Sequence, residues 1–486
     1  MGILARVVRN FLALTTSLVL ERAISFVLFL FIARQLDADV LGEYALAFSF
    51  LAIFETLSVF GQNLLIVREV ARDRYNAGQY LIQSSILVLM SSAIWAVTMP
   101  QIARGLGYPA QTVYYVGLMA LVLVPDSLAV VPESVIQGWE RMEFITAFRF
   151  LTHLVGTTLS VFLLLKGQGL AAVLYVLVGQ RAILAALYSW LVWHRIHPSL
   201  RFDRVFFCSL VSLSLPFLGM NALSAVYKNV DVWILRGMTN AAEVGYYSAA
   251  DRPIQMVGLL MPILMVAIYP SLAETYRIAP DRFERMLRAG LYGLAVTVPF
   301  IAMLFTVAAP SFVAFAYGEG YAATTLPLQI LAWSLVPTSI AALLFRALLA
   351  SNNERVSLRV AFVNMAVNVS LNLTLIPRWG AVGASAVALL TSLVGLAQNY
   401  WFVERHLVRL KAGRLFVRPA LGMMLAGGLF LLLPGSWPLY VRGSVATLSY
   451  LAFLVASGAL SRREVALLQA ALRDLRHGAM PLPDRS

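Results

Sequence analysis

Apolar stretches of about twenty residues, each closed by a short loop, recur along this chain nearly to its end. A helix rising 1.5 Å per residue needs about 20 such residues to cross a hydrocarbon core of about 30 Å. Hydrophobic residues make up 60% of the 486 and charged residues 13%. A soluble chain of this size has no interior large enough to hide that much apolar surface. The sequence predicts fourteen spans: 11–33, 41–61, 80–100, 111–136, 146–165, 170–193, 206–235, 245–270, 289–309, 323–347, 360–376, 381–402, 419–433 and 441–460. The fold class expected is an all-α polytopic membrane protein. The connections leave no room for a soluble catalytic domain, so function is expected inside or across the bilayer.

Charge gives the expected orientation. The net charge is +13. Loops rich in basic residues (Arg68/Arg72/Arg74, Arg141/Arg149, Arg195/Arg201/Arg204, Arg277/Arg282/Arg285/Arg288, Arg355/Arg359, Arg405/Arg409/Lys411/Arg414/Arg418) alternate with loops holding about one each (Arg34, Arg104, Lys166, Arg236, Arg378, Arg442). Excess Lys and Arg mark cytoplasmic loops, so both termini are expected in the cytoplasm, and no nucleic acid is needed to explain the charge. No cleavable signal is expected at the start: Phe11–Ala33 is too long for one, and Glu21-Arg22 interrupts it. Ser461-Arg462-Arg463-Glu464 resembles a capping box, and Val465, Leu468, Leu472 and Leu475 follow at helical spacing. An amphipathic surface helix is expected over 461–476, and a disordered end over 481–486.

The chain repeats internally. From Gln137 it aligns without gaps to the segment from Ser351, matching Glu140-Arg141 to Glu354-Arg355, Ala147-Phe148 to Ala361-Phe362, and Gly169 to Gly383. Gly42-Glu43-Tyr44 resembles Gly245-Tyr246-Tyr247. The unit is six spans, an even number, so the two halves share one orientation. Two pseudo-symmetric six-helix lobes are expected, at 1–203 and 204–412. Two further helices over 413–460 and a tail over 461–486 complete the chain.

A charge at mid-bilayer costs at least about 2.5–3.5 kcal/mol, so such residues are candidates for function, with partnered structural pairs as the plainer alternative. Glu21 and Arg22 fall at the middle of span one, Asp126 near the middle of span four, and Arg181 near that of span six. Lys228 and Asp231 lie on span seven, three apart, where they can pair. Asp251 and Arg252 lie on span eight and Arg346 on span ten. Adjacent residues on a helix do not face each other, so Glu21 and Arg22 each need a partner elsewhere. Arg22 and Arg181 are too deep to reach an interface and are expected to face a polar cavity. Glu55 and Glu133 sit closer to an interface and carry less weight. Asn364, Asn368 and Asn372 form a polar stripe, suited equally to interhelical hydrogen bonds and to sugar contact.

Prolines inside spans (Pro125, Pro216, Pro253, Pro262, Pro299, Pro327, Pro337) are expected bending points, or static kinks. Enzyme chemistry finds little purchase. Cys208 stands alone, and the five histidines are scattered without metal spacing. No Walker A, H-E-x-x-H or G-x-S-x-G sequence is present. Asp37-Ala38-Asp39 copies a glycosyltransferase D-x-D only superficially, in a short loop where helix capping is the better explanation. A membrane glycosyltransferase or polymerase would need a larger loop for its donor. A non-transporting scaffold would not need charges at mid-bilayer.

Three stretches carry a resemblance: Ala33-Arg-Gln-Leu-Asp-Ala-Asp-Val-Leu-Gly-Glu-Tyr44; Asp231-Val-Trp-Ile-Leu with Val244-Gly-Tyr-Tyr-Ser-Ala-Ala250; and Asn368-Val-Ser-Leu-Asn-Leu-Thr-Leu-Ile-Pro377 running into Gly380-Ala-Val-Gly-Ala384. With the span count, they make residues 1–460 similar to the multidrug/oligosaccharidyl-lipid/polysaccharide exporter superfamily, and to its polysaccharide-transport (Wzx-like flippase) branch. The resemblance implies a transporter rather than an enzyme, in the bacterial inner membrane. Its cargo would be undecaprenyl-pyrophosphate-linked sugar repeat units, flipped to the outer leaflet for O-antigen (lipopolysaccharide), capsule or exopolysaccharide assembly. Membrane lipids and polysaccharide polymerase or export machinery would be its partners. Arg22, Arg181, Arg252, Lys228, Arg346, Asn364 and Asn368 would meet the substrate; Glu21, Asp126, Asp231 and Asp251 would hold the cations or carry a coupling ion, H+ or Na+, with no other cofactor. Lipid II flippases of the superfamily have Arg followed by Asp in span one; here the order is Glu21-Arg22. A lipid II flippase or an ion-coupled multidrug exporter is the alternative.

Overall fold

The computed structural model describes residues 3–457 apart from 75–76, 197–201, 352, 411 and 435. The expected surface helix over 461–476 lies outside the described residues. The elements are α1 (Ile3–Gln35), α2 (Ala38–Val59), α3 (Gln62–Arg72), α4 (Ala77–Gly105), α5 (Ala110–Gly138), α6 (Met142–Leu165), α7 (Gly169–Ile196), α8 (Arg204–Met238), α9 (Ala241–Gly258), α10 (Leu260–Ile278), α11 (Pro280–Ala316), a 3-10 turn (Glu319–Thr324), α12 (Thr325–Ala350), α13 (Glu354–His406), α14 (Ala412–Leu432) and α15 (Leu439–Ala456). Each predicted span falls on a helix. Among the described residues, nine helical segments are long and apolar enough to cross a membrane, and two shorter apolar helices follow at the end. The chain is an all-α, polytopic membrane protein.

Two elements differ from the sequence expectation. The loop after span two holds a further helix, α3, whose Gln62, Leu65, Ile66 and Val70 are buried while Arg68 and Arg72 flank Glu69 outside. At 11 residues it is too short to register as a span. Span eight is two helices, α9 and α10, broken at Leu259. Pro262 has no N–H to give the Gly258 carbonyl, so the helix restarts there with Pro262 in its first turn. Pro327 likewise lies in the first turn of α12 and bends nothing. The 53-residue α13 would be about 80 Å long if straight, far more than a bilayer. Gly380, at φ 51°, breaks it into two arms. Gln398 of the second arm donates to Asn364 of the first at 3.0 Å, so the arms run back along each other as a hairpin.

The contacts divide the chain into two compact units, Met1–Ser248 and Ala249–Ser486, rather than at the expected boundary after residue 203. In the first unit, α3 to α7 share a core that includes Ile66, Val88, Val131, Ile136 and Tyr188. α8, expected to open the second lobe, packs along α2 instead. Trp233 stacks on Phe50 at 4.3 Å and donates to Ser49 at 3.0 Å. At one end of this seam Gln62 donates to Ser214 at 2.5 Å and accepts from Ser84 at 2.8 Å. There Gly61, at φ 71°, lets the chain turn against α8: a Cβ would lie 2.7 Å from the Leu218 nitrogen. At the other end Arg236 pairs with Glu43 at 3.1 Å and lies over the Tyr108 ring at 5.6 Å. Burial pushes the Tyr108 phenol pKa up, against the pull of the Arg236 guanidinium, so it stays neutral. Arg236→Ala is expected to lower stability by about 1–3 kcal/mol, because the Glu43 carboxylate keeps its burial and loses its cation. Adding Glu43→Gln should recover part of this in thermal unfolding.

The second unit joins α12 to both arms of α13, to α11 and to α10. α14 and α15 pack on α11, where Tyr450 stacks on Phe300 at 4.6 Å and donates to the Val296 carbonyl at 2.7 Å. The repeat read from sequence has a counterpart in each unit taken alone: α5–α6–α7 in the first, α12 and the two arms of α13 in the second.

Candidate functional site

Helical spacing decides which side chains of the first unit meet. Asp126 and Glu133 are seven apart on α5 and share a face; Arg149 and His153 are four apart on α6. α5 packs against α2, α6 and α7, and α1 packs against α6. These contacts gather charges from five helices. Arg181 Nη1 lies 2.7 Å from Asp126 Oδ1. Arg149 Nη2 lies 2.6 Å from Glu133 Oε1, and its Nη1 lies 3.8 Å from Glu21 Oε2. Gln137 donates to Glu133 at 3.0 Å. Glu55 of α2 lies within electrostatic reach of Asp126, Arg181 and Arg149. His153 lies within electrostatic reach of Arg149, Arg181, Glu21 and Asp126. Asp126 is only 4% exposed.

The expected site residues thus separate. Glu21, Asp126 and Arg181 come together. Glu21 finds its partner on α6, as the spacing argument required, while Arg22 is exposed on the adjacent face of α1. Arg181, expected to face a cavity alongside Arg22, is engaged by Asp126. On α8, Lys228 is exposed, and Asp231 lies 3.5 Å from the Tyr247 hydroxyl.

In the second unit, Gln255 donates to Asp251 one turn along α9. Arg252 acts on Tyr317, whose hydroxyl donates to the Ala249 carbonyl at 2.9 Å. Burial pushes the Tyr317 phenol pKa up, with Arg252 opposing, so it stays a neutral donor. Arg346 lies over the Tyr269 ring at 5.6 Å, a cation–π contact. The asparagine stripe is internal. Asn364 accepts from Gln398, while Asn372 donates to Asn368 at 3.0 Å with both buried.

Sequence reasoning missed Arg149 and His153, and gave too little weight to Glu55 and Glu133. Arg149 counts as a loop residue in the positive-inside pattern, yet it is an interior cation. The available signal was the Arg149/His153 pair at i, i+4 on an apolar helix.

Comparison with known proteins supplies the class. The family model described as "Polysaccharide biosynthesis protein" matches residues 7–276, more than half of the chain. The probable low-salt glycan biosynthesis flippase Agl15 of Haloferax volcanii is 21% identical over 372 residues, covering 75% of this chain and 76% of its own. The capsular polysaccharide biosynthesis protein CapF of Staphylococcus aureus is 19% identical over 404 residues, covering 82% and 99%. Among solved structures, the lipid II flippase MurJ in an inward closed conformation has a similar fold, with a TM-score of 0.74 at 13% identity over 94% of this chain and 100% of that one. The chain therefore belongs to the polysaccharide biosynthesis protein family, and it is a multi-pass membrane transporter of the flippase kind.

Proposed function

We propose that this protein flips an undecaprenyl-pyrophosphate-linked oligosaccharide from the cytoplasmic to the outer leaflet of a bacterial inner membrane, with both termini cytoplasmic. The sugar repeat units would feed O-antigen, capsule or exopolysaccharide assembly. The observation that carries this proposal is Arg22. It is exposed at the middle of an apolar helix, and a cation there is sustainable only where it lines a polar cavity or meets an anion. A guanidinium offers a planar fork matched to phosphate oxygens. Lys228, exposed on α8, adds a second cationic group in the same unit. The names of the relatives, a glycan flippase and a capsular polysaccharide protein, agree with a glycan cargo.

Mass spectrometry of lipids co-purified with the protein should find polyprenyl-pyrophosphate oligosaccharides. In reconstituted vesicles, Arg22→Ala should abolish flipping while leaving the yield of folded protein unchanged. Arg22→Lys should restore it only in part, since a point charge replaces a bidentate fork. Full flipping by Arg22→Ala, or bound lipids without any sugar, would overturn the proposal.

A further inference from the structure

Folding draws two basic segments of the second unit together. The apolar span read from the sequence starts at 289, whereas α11 starts at Pro280, so residues 280–288 stand beyond the hydrocarbon. Phe283, Met286 and Leu287 are buried there, and Arg285 is exposed on another face of the helix. Arg288 Nη2 donates to the Arg409 carbonyl at 2.9 Å, which ties in chain from 121 positions further on. That second segment is itself fixed. Glu404 accepts from the Leu410 N–H at 2.6 Å, and Val408 and Leu410 are buried. Arg405 and Arg409 are exposed on it, and Arg405 lies over the exposed Trp401 ring at 5.2 Å.

The carboxylates of these segments do not neutralise the surface. Glu284 pairs with Arg288 at 2.5 Å, and Glu404 is turned to the Leu410 backbone. Asp281 is the remaining acid of the two segments. Arg285, Arg405 and Arg409 form no ion pair among the described residues. A basic loop by itself marks only a side of the membrane. Here tertiary contacts gather the arginines, and they share a height: Arg285 stands just before one apolar span, and Arg405 and Arg409 stand just after another. An exposed indole beside them, that of Trp401, belongs at the level of the lipid headgroups. The anions at that level are lipid phosphates, whose oxygens match a guanidinium fork. A soluble acidic partner would use the charges and leave Trp401 unexplained.

We infer that Arg285 of α11, with Arg405 and Arg409 of the segment between α13 and α14, forms a binding site for the anionic phospholipid headgroups of the adjoining leaflet. The site depends on the membrane class of the protein and not on what it transports. A phosphate held between the two segments reinforces the Arg288–Arg409 tie and holds the start of α11 and the approach to α14 at the membrane surface. The attraction is electrostatic, so it is strongest at low ionic strength and is screened by salt.

Tryptophan quenching in phosphatidylcholine vesicles holding the full chain tests the site, with Trp401 as the reporter. The share of Trp401 is the difference between wild type and Trp401→Phe. Brominated phosphatidylglycerol should quench it at a far lower mole fraction than brominated phosphatidylcholine. An arginine near a charged lipid surface contributes about fivefold in affinity, so Arg285→Gln/Arg405→Gln/Arg409→Gln should lower the preference for phosphatidylglycerol by about tenfold or more. Arg405→Gln alone should lower it by about fivefold, and it serves if the triple variant does not fold. The control Arg104→Gln/Lys166→Gln/Arg378→Gln removes the same charge from exposed positions elsewhere and should keep the preference. Equal quenching of Trp401 by the two brominated lipids in wild type overturns the inference. So does an equal loss of preference in the two triple variants, which would make the effect one of net charge alone. If the Arg285/Arg405/Arg409 variant keeps its preference for phosphatidylglycerol but no longer binds undecaprenyl pyrophosphate, the surface serves a cargo phosphate and the phospholipid site falls.

Discussion

Asp126→Ala should be among the most damaging single substitutions in the first unit. It leaves the Arg181 guanidinium buried without its counter-ion, and breaking such a pair on one side costs about 3–5 kcal/mol. Arg181→Ala should cost less, because the remaining carboxyl can be neutralised by a proton whereas a guanidinium stays charged. The double variant Asp126→Ala/Arg181→Ala should be more stable than Asp126→Ala alone. A thermal-unfolding double-mutant cycle in detergent measures this. Simple additivity would mean the two side chains do not depend on each other, against the 2.7 Å geometry.

The second large effect lies where α2 and α9 begin. A Cβ on Gly42 would overlap the Ala241 carbonyl oxygen, and one on Gly245 would overlap that of Ala38. The two helices meet backbone to backbone, and the obstacle to any side chain is main chain that cannot rotate away. Overpacking a well-packed contact costs about 1–3 kcal/mol, and rigid backbone neighbours place this one at the upper end or beyond. Gly42→Leu and Gly245→Leu should each lower Tm and break the contact. Cysteines placed at Ala38 and Ala241 should crosslink in the wild type and not in either variant. Gly428→Leu, where no atom lies within 4 Å of an added Cβ, should leave Tm unchanged.

These glycines show how much could be read from the chain alone. Gly42-Glu43-Tyr44 and Gly245-Tyr246-Tyr247 stand out in the sequence as similar motifs opening two spans. Similarity of motif cannot say that the two glycines face each other; a close approach is a property of two segments, and it appears only when both are placed. Glu55 makes the same point for the candidate site. Distance from the span centre counted against it, yet the packing of α2 on α5 brings it within electrostatic reach of Asp126 and Arg181. Arg149 was masked by a pattern that is correct on average. Basic residues near span ends do mark a side of the membrane, but the rule is indifferent to whether one of them turns inward.

What the sequence determined by itself is the set of apolar helices, their number and approximate limits, and the membrane class of the protein. The hydrocarbon core imposes those locally: each span must satisfy its own backbone and present its own apolar surface, without reference to the rest of the chain. The tertiary structure decided the assignment of α8 to the first unit and the pairing of each buried charge. Those depend on which helix faces which. An ion pair between Arg181 and Asp126 joins residues 55 positions apart, and no local pattern of one helix carries information about the face of another.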